Sequence, residues 1–215
     1  MPSQTAIVFP GQGSQSVGML ADIATIHPEV KATFDEASTA LSYDLWELVQ
    51  SGPAEKLDMT MYTQPALLAA SYAIWRILRK NQTALPKMMA GHSLGEYTAL
   101  VCANAIDYAD ALRLVAARGQ FMQEAVLPGA GAMAAIIGLE NQSVADLCKE
   151  VALSEEVLTP ANFNSIGQVV IAGHKEAVLR ALPLAKERGA KMAILIPVSV
   201  PSHCALMREA AERLA

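Results

Sequence analysis

The sequence has little of what marks several large classes of protein. Cysteine occurs three times in 215 residues, at Cys102, Cys148 and Cys204, an odd number set far apart. No CxxC pair is present, so neither a disulfide framework nor a zinc site is indicated. Aromatic residues make up 5% of the chain and charged residues 17%. Positive charge is not in excess. The formal net charge is −5, whereas a nucleic-acid binder wants a basic stripe for the phosphates. No apolar run reaches spanning length without charges or prolines, and no basic segment followed by an apolar one opens the chain as a signal peptide would. No nucleic acid and no membrane partner is expected; a reducing, cytoplasmic setting and a monomer are.

The chain is rich in apolar residues, which make up 53% of it. That is enough for a sizeable buried core and argues against disorder. Alanine, leucine, valine and glycine dominate, a mixture that suits helices packed on a parallel sheet. The length allows one large domain or two small ones.

Residues 5–9 (TAIVF) predict a buried strand, closed by Pro10 and the turn GQGSQ at 11–15. Helical patterning with polar breaks covers 28–49. QPALLAASYAIWRILRK (64–80) predicts a strong, central helix with Pro65 near its first turn and Arg79 and Lys80 at its end. KMMA (87–90) is a minimal strand, GHSLG (91–95) a turn, and 96–105 a helix. Asp107 is placed to cap the next helix, which runs through Arg118 to about residue 125. After the hinge-like PGAG (128–131), the pattern is strand 132–137, helix 143–151, strands 157–162 and 168–172, helix 175–188 and strand 192–198. This β-α-β-β-α-β order is the ferredoxin-like one. The expected organisation is an α/β large subdomain, residues 1–127 and 199–215, with a small subdomain, 128–198, inserted. REAAERLA (208–215) predicts a helix with neither a glycine cap nor a proline after it, and a further C-terminal part is expected beyond it.

GHSLG matches G-x-S-x-G around Ser93. Flanking glycines let the backbone turn sharply and let strand and helix close up, leaving the serine Oγ at a helix N-terminus that favours negative charge. The alternative is a loop serine that caps the helix at Glu96. The turn Gly11-Gln12-Gly13 follows strand one, where α/β sheets bind ligands. The backbone N–H groups of Gln12 and Leu94 are candidates for an oxyanion hole; a plain tight turn is the alternative. A P-loop does not fit, because no Gly-Lys-Ser/Thr follows.

Arg118 has Leu114, Val115, Phe121 and Met122 as its neighbours at helical spacing. An arginine on an apolar helix face keeps its charge and needs an anionic partner, either an internal carboxylate or a substrate carboxylate bound bidentately. Arg113, three residues after Asp110, reads as a surface pair. Among the four histidines, His27 and His174 read as surface residues and His92 points away from Ser93. His203 remains as a candidate base, with an ordinary loop histidine as the alternative. No acidic residue between Ser93 and His203 is placed to orient it.

FPGQGSQ (9–15), YTQPAL (62–67), GHSLGEYTAL (91–100), AARG around Arg118, NFNSIGQVVIAG (162–173) and PVSVPSH (197–203) occur in one chain and in this order. Together they resemble the malonyl-CoA:acyl carrier protein transacylases of bacterial fatty acid synthesis, over essentially the whole chain. The resemblance implies an α/β-hydrolase-like large subdomain and an inserted ferredoxin-like one. It implies Ser93 as nucleophile, His203 as general base, Gln12 and Leu94 as oxyanion donors and Arg118 as clamp on the malonyl carboxylate. It further implies Gln64 as a pocket-lining residue and Met122 as one that shapes the pocket. The reaction implied is ping-pong transfer from malonyl-CoA to acyl carrier protein, with no cofactor or metal and coenzyme A present only as a thioester substrate. Ile166 departs from the proline expected in many relatives. Relatives are longer, and the group that orients His203 is expected beyond residue 215. Lys186, Arg188 and Lys191 form the densest basic group, a docking face for acidic carrier protein or ordinary solubilising charge. The rivals are an esterase, whose acidic triad member and HGGG-type loop are not evident, and a catalytically silent acyl-CoA-binding module.

Overall fold

The computed structural model describes residues 5–81, 86–198 and 200–215. The chain divides into two compact units, residues 1–119 and 120–215. The architecture is α/β, with a parallel sheet in the first unit and a separate antiparallel sheet in the second.

The first unit contains strands β1 (Ala6–Phe9) and β2 (Met88–Gly91), paired in parallel with Ala6 opposite Met88 and Phe9 opposite Gly91. Parallel neighbours need a long crossover, and helices α1 (Ala21–Ile26), α2 (Pro28–Leu41), α3 (Leu45–Ser51), α4 (Ala54–Leu57) and α5 (Thr60–Asn81) supply it. Helices α6 (Leu94–Cys102) and most of α7 (Tyr108–Glu124) complete the unit. α5 runs through the core as its nearly all-round apolar sequence predicts. Leu67, Leu68, Ala69, Ala70 and Ala73 are buried, packed with Val30 and Phe34 of α2 and with Ala111, Leu112 and Val115 of α7.

Two details of the first unit bear on the site. α5 begins at Thr60, a turn earlier than the sequence suggests, so Pro65 lies inside the helix. The extra turn is tied down by Thr63, whose Oγ1 donates to Leu57 O at 2.6 Å and whose N–H donates to Met59 O at 2.9 Å. At the head of α7, Asp107 Oδ1 accepts from the N–H of Ala109 (2.9 Å) and of Asp110 (3.2 Å). That is the cap expected there.

The second unit runs β3 (Gly131–Ile137), α8 (Asn141–Val151), β4 (Leu158–Ser165), β5 (Gln168–His174), α9 (Lys175–Glu187) and β6 (Met192–Leu195). The sheet is antiparallel with strand order β4-β5-β3-β6. Alternation along β3 and β5 gives each face its own residues. Ala134, Ile136, Val169 and Ile171 pack on Val144, Leu147, Ala177 and Val178 of the two helices. Met133, Val170 and Ala172 pack with Ala161, Ile196 and Val198 on the other face. β6 ends at Leu195, short of the predicted residue 198, because Pro197 has no N–H for the ladder; one more backbone bond, Ile196 N to Met133 O at 2.9 Å, follows it. A 3-10 turn (Ala205–Met207) and α10 (Arg208–Leu214) close the unit, and Met207 and Ala210 pack with Met122 and Val200. Ser199, where the large subdomain is expected to resume, lies outside the described residues. Among the described residues, no helix is long and apolar enough to cross a membrane.

Candidate active site

Ser93 sits between β2 and α6 with φ 52° and ψ −105°. A non-glycine residue there stores about 1–3 kcal/mol of strain and persists only where its surroundings over-determine it. The glycines on either side do so. A Cβ on Gly91 would lie 1.8 Å from the carbonyl carbon of Gly95, and a Cβ on Gly95 would lie 2.2 Å from Phe9 O. Only bare backbones close this far. The turn is also tied to β1 by His92 N–H donating to Phe9 O at 3.0 Å. The Ser93 side chain makes no capping hydrogen bond to α6, so the strained backbone presents the hydroxyl and does not use it to end the helix.

The turn after β1 packs on this elbow. A Cβ on Gly11 would stand 2.7 Å from His92 O and 2.9 Å from His92 Nδ1, so the imidazole of His92 lies over the first loop. Both turns therefore leave the carboxyl ends of adjacent parallel strands, the place where α/β sheets hold ligands. The N–H of Leu94, first residue of α6, has no acceptor within its own helix, and the helix dipole adds positive potential there.

Arg118 joins this site through a row of side chains. Its Nη1 donates to Gln64 Oε1 at 2.7 Å, and its Nη2 donates to Ser93 Oγ at 3.3 Å. Gln64 Nε2 in turn donates to Gln12 Oε1 at 3.5 Å, and Gln12 Nε2 donates to Thr60 Oγ1 at 3.2 Å. The guanidinium also lies 5.6 Å from the centre of the Tyr97 ring, within cation–π range. Burial pulls the Arg118 pKa below its ordinary value, while Tyr97 and Glu96 oppose that shift. Among the described residues, no carboxylate is within ion-pair distance of Arg118. Its neutral partners hold it in place without cancelling its charge, so an anion arriving beside Ser93 meets a cation already oriented. Arg113 pairs with Asp110 at 2.6 Å on the surface.

Five of the seven sequence-derived site residues, Gln12, Gln64, Ser93, Leu94 and Arg118, are thus gathered in the first unit. Met122 and His203 belong to the second. Met122 is buried beside Val200, Met207 and Ala210. His203 occupies the turn after Pro201 with φ 61°; Pro201 is itself packed on Gly131, where a Cβ would meet the proline ring at 2.3 Å. His174 has a structural task, since its Nδ1 accepts from Val157 N–H at 2.8 Å. His27 lies between α1 and α2 as the cap residue of both.

A strained serine elbow, backbone N–H groups at strand ends and an oriented arginine are thus gathered in the first unit. The acyl transferase domain model matches residues 6–215. The chain belongs to that family. Within it, the malonyl CoA-acyl carrier protein transacylase of Escherichia coli strain K12 is 63% identical over 213 residues, covering 99% of this chain and 69% of the relative. A solved structure of the malonyl CoA-acyl carrier protein transacylase from Coxiella burnetii superposes with a TM-score of 0.97 at 57% identity, covering 100% of this chain and 67% of that one. A malonyl-transacylase solved in complex with a type II polyketide synthase acyl-carrier protein superposes with a TM-score of 0.96 at 61% identity, over 99% of this chain and 68% of that one.

Two side chains of this cluster were not evident from the sequence. Thr60 lies four residues before Gln64, hence on the same face of α5, but only once the helix is known to start a turn earlier. Tyr97 lies four residues after Ser93, and its ring comes within reach of Arg118 only through the packing of α6 on its neighbours.

Proposed function

We propose that this chain transfers a malonyl group from malonyl-CoA to the phosphopantetheine thiol of acyl carrier protein through a malonyl-Ser93 ester. The observation that carries this is the Arg118 guanidinium 3.3 Å from Ser93 Oγ, oriented by Gln64. In a malonyl thioester, one methylene separates the carboxylate from the reacting carbonyl. A clamp for that carboxylate must therefore lie beside the nucleophile, and a planar guanidinium binds it bidentately. Identity of 63% to a malonyl CoA-acyl carrier protein transacylase supports the same substrates, and a relative solved with an acyl-carrier protein supports the acceptor.

In this mechanism Ser93 Oγ attacks the thioester carbonyl while His203 accepts its proton. The tetrahedral oxyanion is held by the N–H groups of Gln12 and Leu94. The C–S bond breaks, and coenzyme A leaves with the proton returned by His203. The carrier-protein thiol then gives its proton to His203 and attacks the ester carbonyl, and Ser93 Oγ leaves as the hydroxyl. Acyl transfer between thiols needs no redox group or metal, and coenzyme A enters as part of the substrate. Met122 limits the pocket to a small acyl chain. The strand order of the second unit supports a ferredoxin-like small subdomain, 128–198, within an α/β-hydrolase-like large one, 1–127 and 199–215. A cytoplasmic location belongs to the same proposal.

Docking of an acidic carrier protein is assigned to the group of Lys186, Arg188 and Lys191. Arg188 is paired with Glu150, while neither lysine forms an ion pair among the described residues. Reversing all three charges is expected to slow transfer to carrier protein and to spare self-acylation; unchanged transfer would reduce them to solubilising charge.

The test of the function is self-acylation. Given malonyl-CoA and acetyl-CoA in competition, the protein should gain malonyl on Ser93 in preference to acetyl, read by intact mass and peptide mapping, and Ser93→Ala should gain neither. Labelling by neither thioester, or equal labelling by both, would overturn it.

A further inference from the structure

The row of side chains from Ser93 to Thr60 has a direction, and chemistry sets it. Arg118 has only donors, so the atom of Gln64 that faces it must be the carbonyl oxygen, as found at 2.7 Å. That places the Gln64 amide nitrogen toward Gln12, which must answer with its own carbonyl oxygen. The Gln12 amide nitrogen then faces Thr60 and needs an acceptor, which Thr60 Oγ1 provides at 3.2 Å. Turning the Gln64 amide over would set its nitrogen against the Arg118 donors and its oxygen against the Gln12 carbonyl oxygen. Such an arrangement leaves buried polar groups unsatisfied.

Thr33, Thr60, Thr63 and Thr98 are the buried threonines among the described residues of the first unit. Thr33 and Thr63 donate to backbone carbonyls nearby in sequence, Glu29 O at 2.7 Å and Leu57 O at 2.6 Å. Those bonds hold helices. Thr60 Oγ1 accepts from a side chain 48 residues away. Both Thr60 and Gln64 are fully buried, at 0% exposure, while Gln12 is half-buried. The helix that carries Arg118 is also held against this turn. A Cβ on Gly119 would lie 2.6 Å from Thr60 O and from Met61 Cα, so the backbone beside Arg118 rests on the first turn of α5.

We propose that Thr60 is a positioning residue, its hydroxyl anchoring the far end of the Gln12–Gln64 relay and so steadying the Arg118 guanidinium beside Ser93. The proposal rests on the malonyl-transfer function above and deepens it. Selection of a carboxylate-bearing acyl group depends on a buried hydroxyl that touches neither substrate nor Ser93. Without that acceptor, the Gln12 amide is no longer anchored, its bond to Gln64 is weakened, and the guanidinium is held less firmly in one plane for bidentate capture.

The experiment compares self-acylation by malonyl-CoA and acetyl-CoA, as the ratio of kcat/KM, in the wild type, Thr60→Val, Thr60→Ser and Thr63→Val. Thr60→Val keeps the shape and removes the acceptor; the malonyl-to-acetyl ratio should fall about tenfold, the effect of one buried hydrogen bond, chiefly through a raised KM for malonyl-CoA. Thr60→Ser restores the acceptor and should restore the ratio. Thr63→Val removes a neighbouring helix-holding bond and should lower the melting temperature with the ratio unchanged. Should Thr60→Val fail to fold, Thr60→Ala removes the same acceptor without added bulk and carries the same expectation. A wild-type preference that survives in Thr60→Val, or that falls equally in Thr63→Val, overturns the positioning role and leaves the function intact. A wild type without a malonyl preference overturns the function itself, and the role of Thr60 falls with it.

Discussion

Substituting Gly95 by alanine tests whether the close approach of two backbones builds the serine elbow. The added Cβ would stand 2.2 Å from Phe9 O and 2.8 Å from both Phe9 C and Pro10 O. All three are backbone atoms, so no side chain can swing aside. Restoring an ordinary contact of 3.4 Å requires α6 and the end of β1 to separate by about 1.2 Å, the difference between 3.4 and 2.2. Overpacking of this kind costs about 1–3 kcal/mol or somewhat more. The same movement parts the Gln12 loop from Leu94, the two proposed sources of oxyanion donors, and a misplacement near 1 Å lowers rates by roughly 100-fold. Denaturant unfolding and the rate of Ser93 acylation, measured by quenched intact mass, give the two readouts. Gly189→Ala is the control. Unlike Gly95 it has a positive φ, 94°, and it has open space around the added Cβ, so about 1 kcal/mol of stability and no acylation rate should be lost. If Gly95→Ala matched the wild type in both stability and rate, the packing explanation of the elbow would be wrong.

Three further outcomes follow from the structure. Arg118→Lys keeps the charge but loses the planar fork, so malonyl preference should fall about tenfold or more in competition labelling; an undiminished preference would show that charge alone suffices. Asp107→Ala removes the acceptor of two N–H bonds at the head of α7 and should cost about 1 kcal/mol in denaturant unfolding; no change would mean the cap is redundant. Burial pushes the thiols of Cys102 and Cys148 up to about 12, so both stay protonated at pH 8. The native protein should modify them with a thiol reagent only at its unfolding rate, and rapid labelling of either would contradict their burial.

Much of this site could be read from the chain, and the part that could not shares one physical cause. Ser93 was legible because its glycines sit at fixed offsets between a strand and a helix, a local pattern with a local reason. Arg118 was legible because a charge among Leu114, Val115, Phe121 and Met122 breaks a helical period. The β-α-β-β-α-β order of the second unit was legible because hydrophobic spacing switches between two and 3.6 residues at each boundary. The relay was not legible. Gln12 attracts notice for its backbone N–H, yet its side chain bonds to partners 48 and 52 residues away. Thr60 was hidden by Pro65, since a proline read as belonging to the first helical turn removes the turn on which Thr60 lies. The end of β6 was missed for a related reason. Apolar residues continue to Val198, but Pro197 interrupts the ladder that would make them a strand.

The central claim is that Ser93 relays an acyl group between two thiols, and one measurement addresses it directly. The protein is first loaded with malonyl-CoA and freed of excess, then mixed with holo acyl carrier protein and quenched over time. Intact mass should show malonyl-Ser93 decaying at the rate at which malonyl-carrier protein appears, with little free malonate. A malonyl-Ser93 ester that persists, or that decays to malonate without charging the carrier, would contradict the claim and mark the chain as a hydrolase or a silent acyl acceptor.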